Sequence, residues 1–347
     1  MTVALPLRRR ERGGASMRRA VLGRWLRLRE VQLVLAMAAV VIASAILHPD
    51  FLAPGNISFM LADSAVTAIL ATGQTLVILG KGIDLSVAPI LGICAVEVGF
   101  PAQNHNLNLA LALMLVMGIG IMLGIGNGLL VSWARIPPII TTLATLSVYG
   151  GLQFILANGQ EVVNIPNAYD TLGNADLLSG VPWVLVIAVG IAVAVALFLR
   201  QTNLGRSIYA VGNNADAAHR SGIAVRRIIF TTYVLSGLLA GIAGLIYLCH
   251  TGSADSTTGT DSNVELTSIA ATLIGGTTLT GGRGGVIGSV LGAIFLSVAL
   301  TAMVFARIPA IWEPAGVGAL ILLAMVTDRH SGTLASRARR RGGEVAR

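Results

Sequence analysis

Lysine is nearly missing from this 347-residue sequence: of its 24 basic residues only Lys81 carries an ammonium, and the others are arginines. A phosphate-cradling P-loop needs G-x-x-x-x-G-K-[ST], because its lysine reaches the terminal phosphates and its hydroxyl holds magnesium. Lys81 is followed by Gly82, and Thr75 stands where the first glycine would have to be. The sequence therefore carries no nucleotide motor, and any ATP-driven work falls to a separate subunit. Charge is also scarce. Charged residues make up 12% of the chain and apolar residues 54%, whereas soluble domains carry about 25% charge. With a mean hydropathy of +0.79, there is too little polar side chain to coat a soluble globule, which excludes a cytosolic enzyme. Cysteine is limited to Cys94 and Cys249, far apart in apolar stretches, which excludes a disulfide framework and makes each a small hydrophobe. Cys249 precedes His250, but the neighbourhood offers too few further ligands for a metal. Neither G-x-S-x-G nor H-E-x-x-H occurs in any apolar run, so intramembrane hydrolysis has no candidate nucleophile or zinc site.

What the chain has instead is long apolar runs. A window of about 19 residues places them near 31–47, 57–79, 83–100, 108–132, 136–157, 181–199, 228–250, 265–281, 284–305 and 308–327. The expected fold is all-α: a polytopic transmembrane bundle of about ten spans. The third and eighth runs are short or glycine-rich, which predicts broken or re-entrant helices. The first run follows an Arg-rich stretch and ends near Ala43-Ser44-Ala45, imitating a secretory leader; its length and the many later runs favour an uncleaved span.

Arginines set the orientation. Residues 1–30 hold nine arginines against two glutamates, and residues 328–347 hold six against Asp328 and Glu344. If both tails are cytoplasmic, then 23 of the 24 basic residues are inside and only Arg307 is outside, as the positive-inside rule requires. The basic tails flank apolar spans, so their counter-charge is expected to be anionic membrane lipid and not nucleic acid. Trp133 at an inner boundary and Trp183 and Trp312 at outer ones fit an interfacial belt. The expected organisation is a basic tail at 1–30, a membrane domain at 31–327 with a cytoplasmic loop at 200–227, and a second tail at 328–347.

Polar groups inside the apolar runs are few. The densest set is Gly80-Lys81-Gly82-Ile83-Asp84-Leu85-Ser86. A charge at mid-bilayer costs roughly 3 kcal/mol or more, so Asp84 should face protein, a helix end or water. Asp84 and Ser86 can cap the helix that follows, or offer polar groups to a solute beside a broken helix. A second glycine-basic-glycine element, Gly282-Arg283-Gly284, hints at two related halves. Gln74, Asn127, Thr141, Thr142 and Thr145 lie deep, where interhelical hydrogen bonding is the common use. Gly120, Gly124, Gly237 and Gly241 belong to small-residue faces suited to close helix packing. In the 200–227 loop, Asn213 or Asn214 can start a short helix and Gly222 can end it. No chain of acids or histidines crosses the membrane as a proton relay would.

Four stretches resemble the ribose-type permeases of bacterial ABC importers: GKGIDLSVAPILG at 80–92, ARIPPIITTLATLSVYGGL at 134–152, TNLGRSIYAVGNNADAAHRSGI at 202–223 and ELTSIAATLIGGTTLTGGRGGVIGSVLG at 265–292. The resemblance implies a multi-pass subunit of the bacterial inner membrane that moves a monosaccharide or related small polar solute. It implies a second permease copy or paralogue, a solute-binding protein outside, and an ATP-binding subunit inside that holds ATP and Mg, with no cofactor in this chain. Asp216-Ala217-Ala218 followed by Gly222 is similar to the importer coupling pattern, though its further Ile-x-Leu-Pro is absent; Gly205 and Arg206 join it as coupling residues. Expected path residues are Gln74, Asp84, Ser86, Asn127, Thr141 and Thr145. Family members usually have glycine where this chain has Lys81, and Gly where it has Ala88-Pro89. The alternative is an ion-coupled secondary transporter with Asp84 as its ion site.

Overall fold

The computed structural model describes residues 29–178 and 180–323. The expected basic tails therefore lie outside the described residues, apart from Arg29 and Glu30. The fold is helical throughout: α1 (Arg29–Leu47), α2 (Pro54–Leu79), α3 (Val87–His105), α4 (Leu109–Ser132), α5 (Pro138–Ala157), α6 (Asn167–Asn174), α7 (Trp183–Gln201), α8 (Asn203–Asn213), α9 (Ala215–Arg220), α10 (Val225–Thr251), α11 (Val264–Ile274) and α12 (Val286–Phe305). A shorter apolar helix, α13 (Ala310–Leu323), follows. Among the described residues a small outer hairpin forms from β1 (Asp176–Leu178) and β2 (Val181–Pro182).

Helix ends follow local chemistry. Pro54 and Pro138 open α2 and α5, where a missing N–H costs nothing. The Asn108 side chain accepts the Leu111 amide at 2.8 Å and caps α4. Asn106 and Asn158 close α3 and α5 in the left-handed conformation, at φ 50° and 49°.

Among the described residues, eight helices are long and apolar enough to cross a membrane, and each matches one of the ten expected runs. The eighth run differs. Only Val264–Ile274 is helical; at 1.5 Å per residue this is about 16 Å, roughly half a bilayer core. Glycine then ends the helix and the chain turns back into α12, so this run is re-entrant. The third run is not shortened as expected. Residues 80–86 form a turn, and α3 continues from Val87 to His105 as a full-length helix of 19 residues.

Helices α2 and α3 are buried along most of their length and form the centre of the bundle. Helix α10 packs along α4 through Gly120, Gly124 and Gly237, so closely that a methyl group on Gly237 would lie 2.8 Å from the Gly124 Cα. Contact this close gains dispersion between backbones that larger side chains would hold apart. In contrast α1 touches mainly α12 and lies at the periphery. Outward faces of α4, α5 and α7 are apolar, with Met122 64%, Val148 64% and Phe154 62% exposed, as lipid contact demands.

Among the described residues, Lys81, Arg135, Arg200, Arg226 and Arg227 gather at one end of the bundle. A pocket joins Glu30, Arg200, Tyr209 and Gly284, and another joins Lys81, Pro138, Val211 and Ala215. Arg307 follows the opposite end of α12, where Phe305 packs edge-on against Phe51 with ring centroids 5.3 Å apart.

Candidate functional site

The turn after α2 brings four of the six expected path residues into one knot. Gln74, in the last turns of α2, accepts the Asp84 amide at 3.3 Å through its side-chain oxygen and donates to the Asp84 carbonyl at 3.2 Å. One Asp84 carboxylate oxygen receives the Ser86 hydroxyl at 2.6 Å and the Ser86 amide at 3.1 Å. The other receives the Ser236 hydroxyl at 2.8 Å. Asn127 on α4 completes the set by donating to the Ser86 oxygen at 2.6 Å. Every member is buried. In low dielectric such bonds are strong and an unmade one is costly, so the knot fixes α2, α3, α4 and α10 around the break.

Two expectations change here. Ser86 holds the N-cap position of α3, but its hydroxyl makes no capping bond to the helix; it turns back to Asp84, whose carboxylate takes the Ser86 amide instead. Thr141 and Thr145 do not join the knot. Thr145 donates to the Thr141 carbonyl on its own helix, at 3.1 Å, and the buried Thr141 hydroxyl has no partner. Thr142 is the α5 residue that reaches the turn, donating to the Ile83 carbonyl at 3.0 Å. Sequence reasoning missed Ser236 as well. In an apolar helix with a glycine face it reads as one more small residue.

The Tyr233 hydroxyl is buried without a partner beside the knot. Tyr233, Gly80, Lys81, Gly82, Val211 and Thr232 are among the residues around a cavity of about 140 Å³ on the inner side of the break. The turn that carries the knot thus borders a small space also lined by Val211 of α8 and Ala215 of α9.

Those helices hold the expected coupling residues. Thr202 caps α8 by accepting the Gly205 amide at 3.0 Å, and Asn214 caps α9 by accepting the Ala217 amide at 3.0 Å. Arg206 lies along the surface of α8, donating to the Asn203 side chain at 2.5 Å and to the Gln201 carbonyl at 3.2 Å. Gly205 and Ala218 are buried packing positions, whereas Asp216, Arg220 and Gly222 are exposed. Gly222 ends α9 at φ 83° with open space around it, so it is required for its backbone conformation and not for lack of room. A groove of about 640 Å³ runs beside α9, lined by Trp133, Arg135, Asp216, His219, Arg226 and Arg227 among others.

At the opposite end, Gln153 on α5 donates to the carbonyls of Asp255 at 3.1 Å and Thr258 at 3.0 Å, pinning the outer loop that leads into α11. Partial burial pushes the Asp255 carboxyl up, but bonds from Thr257 and Thr258 outweigh it and hold it below its ordinary value.

Residues 56–325 match the family model described as branched-chain amino acid transport system / permease component. The chain is 37% identical over 305 residues to the autoinducer 2 import system permease protein LsrC of Klebsiella pneumoniae, covering 87% of both chains. It is 34% identical to the protein of that name from Yersinia enterocolitica, over 86% of this chain and 82% of the relative. The Escherichia coli K12 relative of that name is 33% identical, with 86% of each chain covered. No solved structure matches.

Proposed function

The chain belongs to this permease-component family, as a multi-pass inner-membrane subunit of an ABC importer for small solutes, and on that premise we propose how it works and what it carries. The cargo is autoinducer 2, as in the named relatives, or a monosaccharide of similar size and polarity. Energy comes from a separate ATP-binding subunit that holds ATP and Mg and grips the groove beside α9. This chain hydrolyses nothing itself. A solute-binding protein delivers cargo to the outer loops, and two permease copies, or this chain and a paralogue, enclose the path between them.

The observation that carries this reading is the capped pair α8–α9, presented at the same end as both helix breaks in a chain with no P-loop. Asp216, Arg220 and Gly222 are exposed there for a partner to push on, and Gly205, Arg206 and Ala218 hold the pair in shape. When the partner closes on ATP, the pair moves and the permease rocks between outward and inward openings. Gln74, Asp84, Ser86 and Asn127 are closed on one another in this conformation. Their contribution to the path is to hold the break in α2 and α3 beside it, while Thr141 supplies an unpaired hydroxyl nearby and Thr145, bonded within its own helix, lines the same helix one turn on. Ion coupling through Asp84 is the weaker reading, because both its carboxylate oxygens are already occupied by serine hydroxyls.

The test is reconstitution of the permease with its ATP-binding subunit and binding protein in liposomes. Uptake of labelled autoinducer 2 or ribose should require ATP and loaded binding protein, and Gly222→Trp should abolish ATPase stimulation while the subunits still co-purify. Uptake by the permease alone under an ion gradient would overturn the reading.

A further inference from the structure

Three segments far apart in sequence meet at the inner end of the bundle. Leu79 ends α2 at the first break, and its carbonyl accepts the Gly282 amide of the second break at 3.0 Å. Gly212, in the last turn of α8, is wedged between them. A methyl group on Gly212 would overlap the Leu79 carbonyl and lie 2.6 Å from the Gly282 nitrogen. Helix α8 reaches the second break twice more: the Tyr209 hydroxyl donates to the Gly284 carbonyl at 3.1 Å, and the Asn213 side-chain Nδ2 donates to the Gly282 carbonyl at 3.5 Å. The turns also touch through side chain, since a methyl group on Gly281 would meet the Lys81 Cγ at 2.5 Å. Leu79, Gly212 and Gly282 are all buried.

We propose that the last turn of α8 is a clasp that makes the two helix breaks one moving part, with Gly212, Tyr209 and Asn213 as positioning residues for transport. The inference rests on the importer reading and says where motion enters the membrane domain. A push on α9 passes through Asn214 to the end of α8. From there it reaches Leu79 and Gly282 together, because neither turn can shift without displacing the glycine between them. The first turn carries the Asp84 knot and the second leads into α12, so both sides of the bundle receive one displacement. Packed backbone contacts transmit such movement because a close-packed interface switches as a unit and does not stretch.

The experiment uses the assembled importer in liposomes, with whichever of autoinducer 2 and ribose enters the wild-type vesicles, and reads solute taken up per ATP hydrolysed. Gly212→Val should leave the ATP-binding subunit co-purifying and basal ATP hydrolysis present, yet lower the uptake per ATP about tenfold, within the range that positions along a coupling network command. Gly190→Val makes the same chemical change on α7, where the glycine meets nothing within 4 Å, and should keep the wild-type ratio. Should Gly212→Val fail to assemble, the double variant Tyr209→Phe with Asn213→Ala removes the two side-chain bonds without adding bulk. It should lower the ratio about threefold. An unchanged ratio in Gly212→Val, or in the double variant, overturns the clasp while leaving the importer reading intact. A wild-type assembly that takes up neither solute with ATP overturns both.

Discussion

Between α2 and α3 the chain turns through residues 80–86 around a single acid, whereas between α11 and α12 it turns through residues 275–285 with six glycines and no acid. The first turn is held by side chains: the Asp84 carboxylate gathers three donors from Ser86 and Ser236, and Asn127 and Gln74 close the set. The second has no such side-chain knot of its own and is held by backbone, with the Tyr209 and Asn213 side chains reaching it from α8. Its Thr278 amide bonds the Arg283 carbonyl at 3.0 Å, and Gly275 and Gly288 pack so tightly that a methyl group on Gly288 would overlap the Gly275 carbonyl. Two chemistries answer one demand, which is that buried backbone leaving a helix must find partners inside the protein. The side-chain solution concentrates stability on one residue; the glycine solution spreads it over many close contacts.

The largest effect is expected at the acid. Asp84→Ala strands three donors in a buried site, each costing about 1–3 kcal/mol when unpaired, so thermal unfolding in detergent should register a loss of about 3 kcal/mol or more. Asp84→Asn retains one accepting oxygen and should lose distinctly less; equal losses would show that hydrogen bonding does not set the difference between the turns. Next is Gly288→Val, which forces α11 and α12 apart and should cost about 2 kcal/mol by overpacking, read by the same melt. A negligible shift would mean that the second turn has slack and is not held by close packing. The smallest concerns a side-chain bond between the helices flanking the two turns, where the Thr75 and Ser289 hydroxyls meet at 2.7 Å. Thr75→Val should cost about 0.6 kcal/mol, the usual worth of one interhelical bond in a membrane. A loss as large as that of Asp84→Ala would erase the contrast by making this contact the principal one.

Much of this was legible in the sequence, for reasons that differ by element. Apolar runs and arginine placement located the spans, since exclusion of unpaired polar groups from lipid acts on every residue of a run. Asn214 was visible as a cap because capping is local. Asp84 and Ser86 were visible because polar groups in an apolar setting are conspicuous, but the partner of the second Asp84 carboxylate oxygen, Ser236, lies 152 residues away in sequence. The choice among Thr141, Thr142 and Thr145 turns on helix rotation. Helix α5 is apolar on both sides, so its sequence does not say which side faces inward. Least visible was the meeting of Leu79, Gly212 and Gly282, made largely by backbone groups that leave no periodic signature.

Lys81 stands exposed in the first turn at φ 67°, a conformation that most side chains avoid. As the sole ε-amine of the sequence, it gives succinimidyl reagents one internal address. An impermeant dye of that class should mark this subunit in inverted vesicles and leave the same residue dark in right-side-out ones. One residue thereby offers an optical readout of which way the protein was inserted.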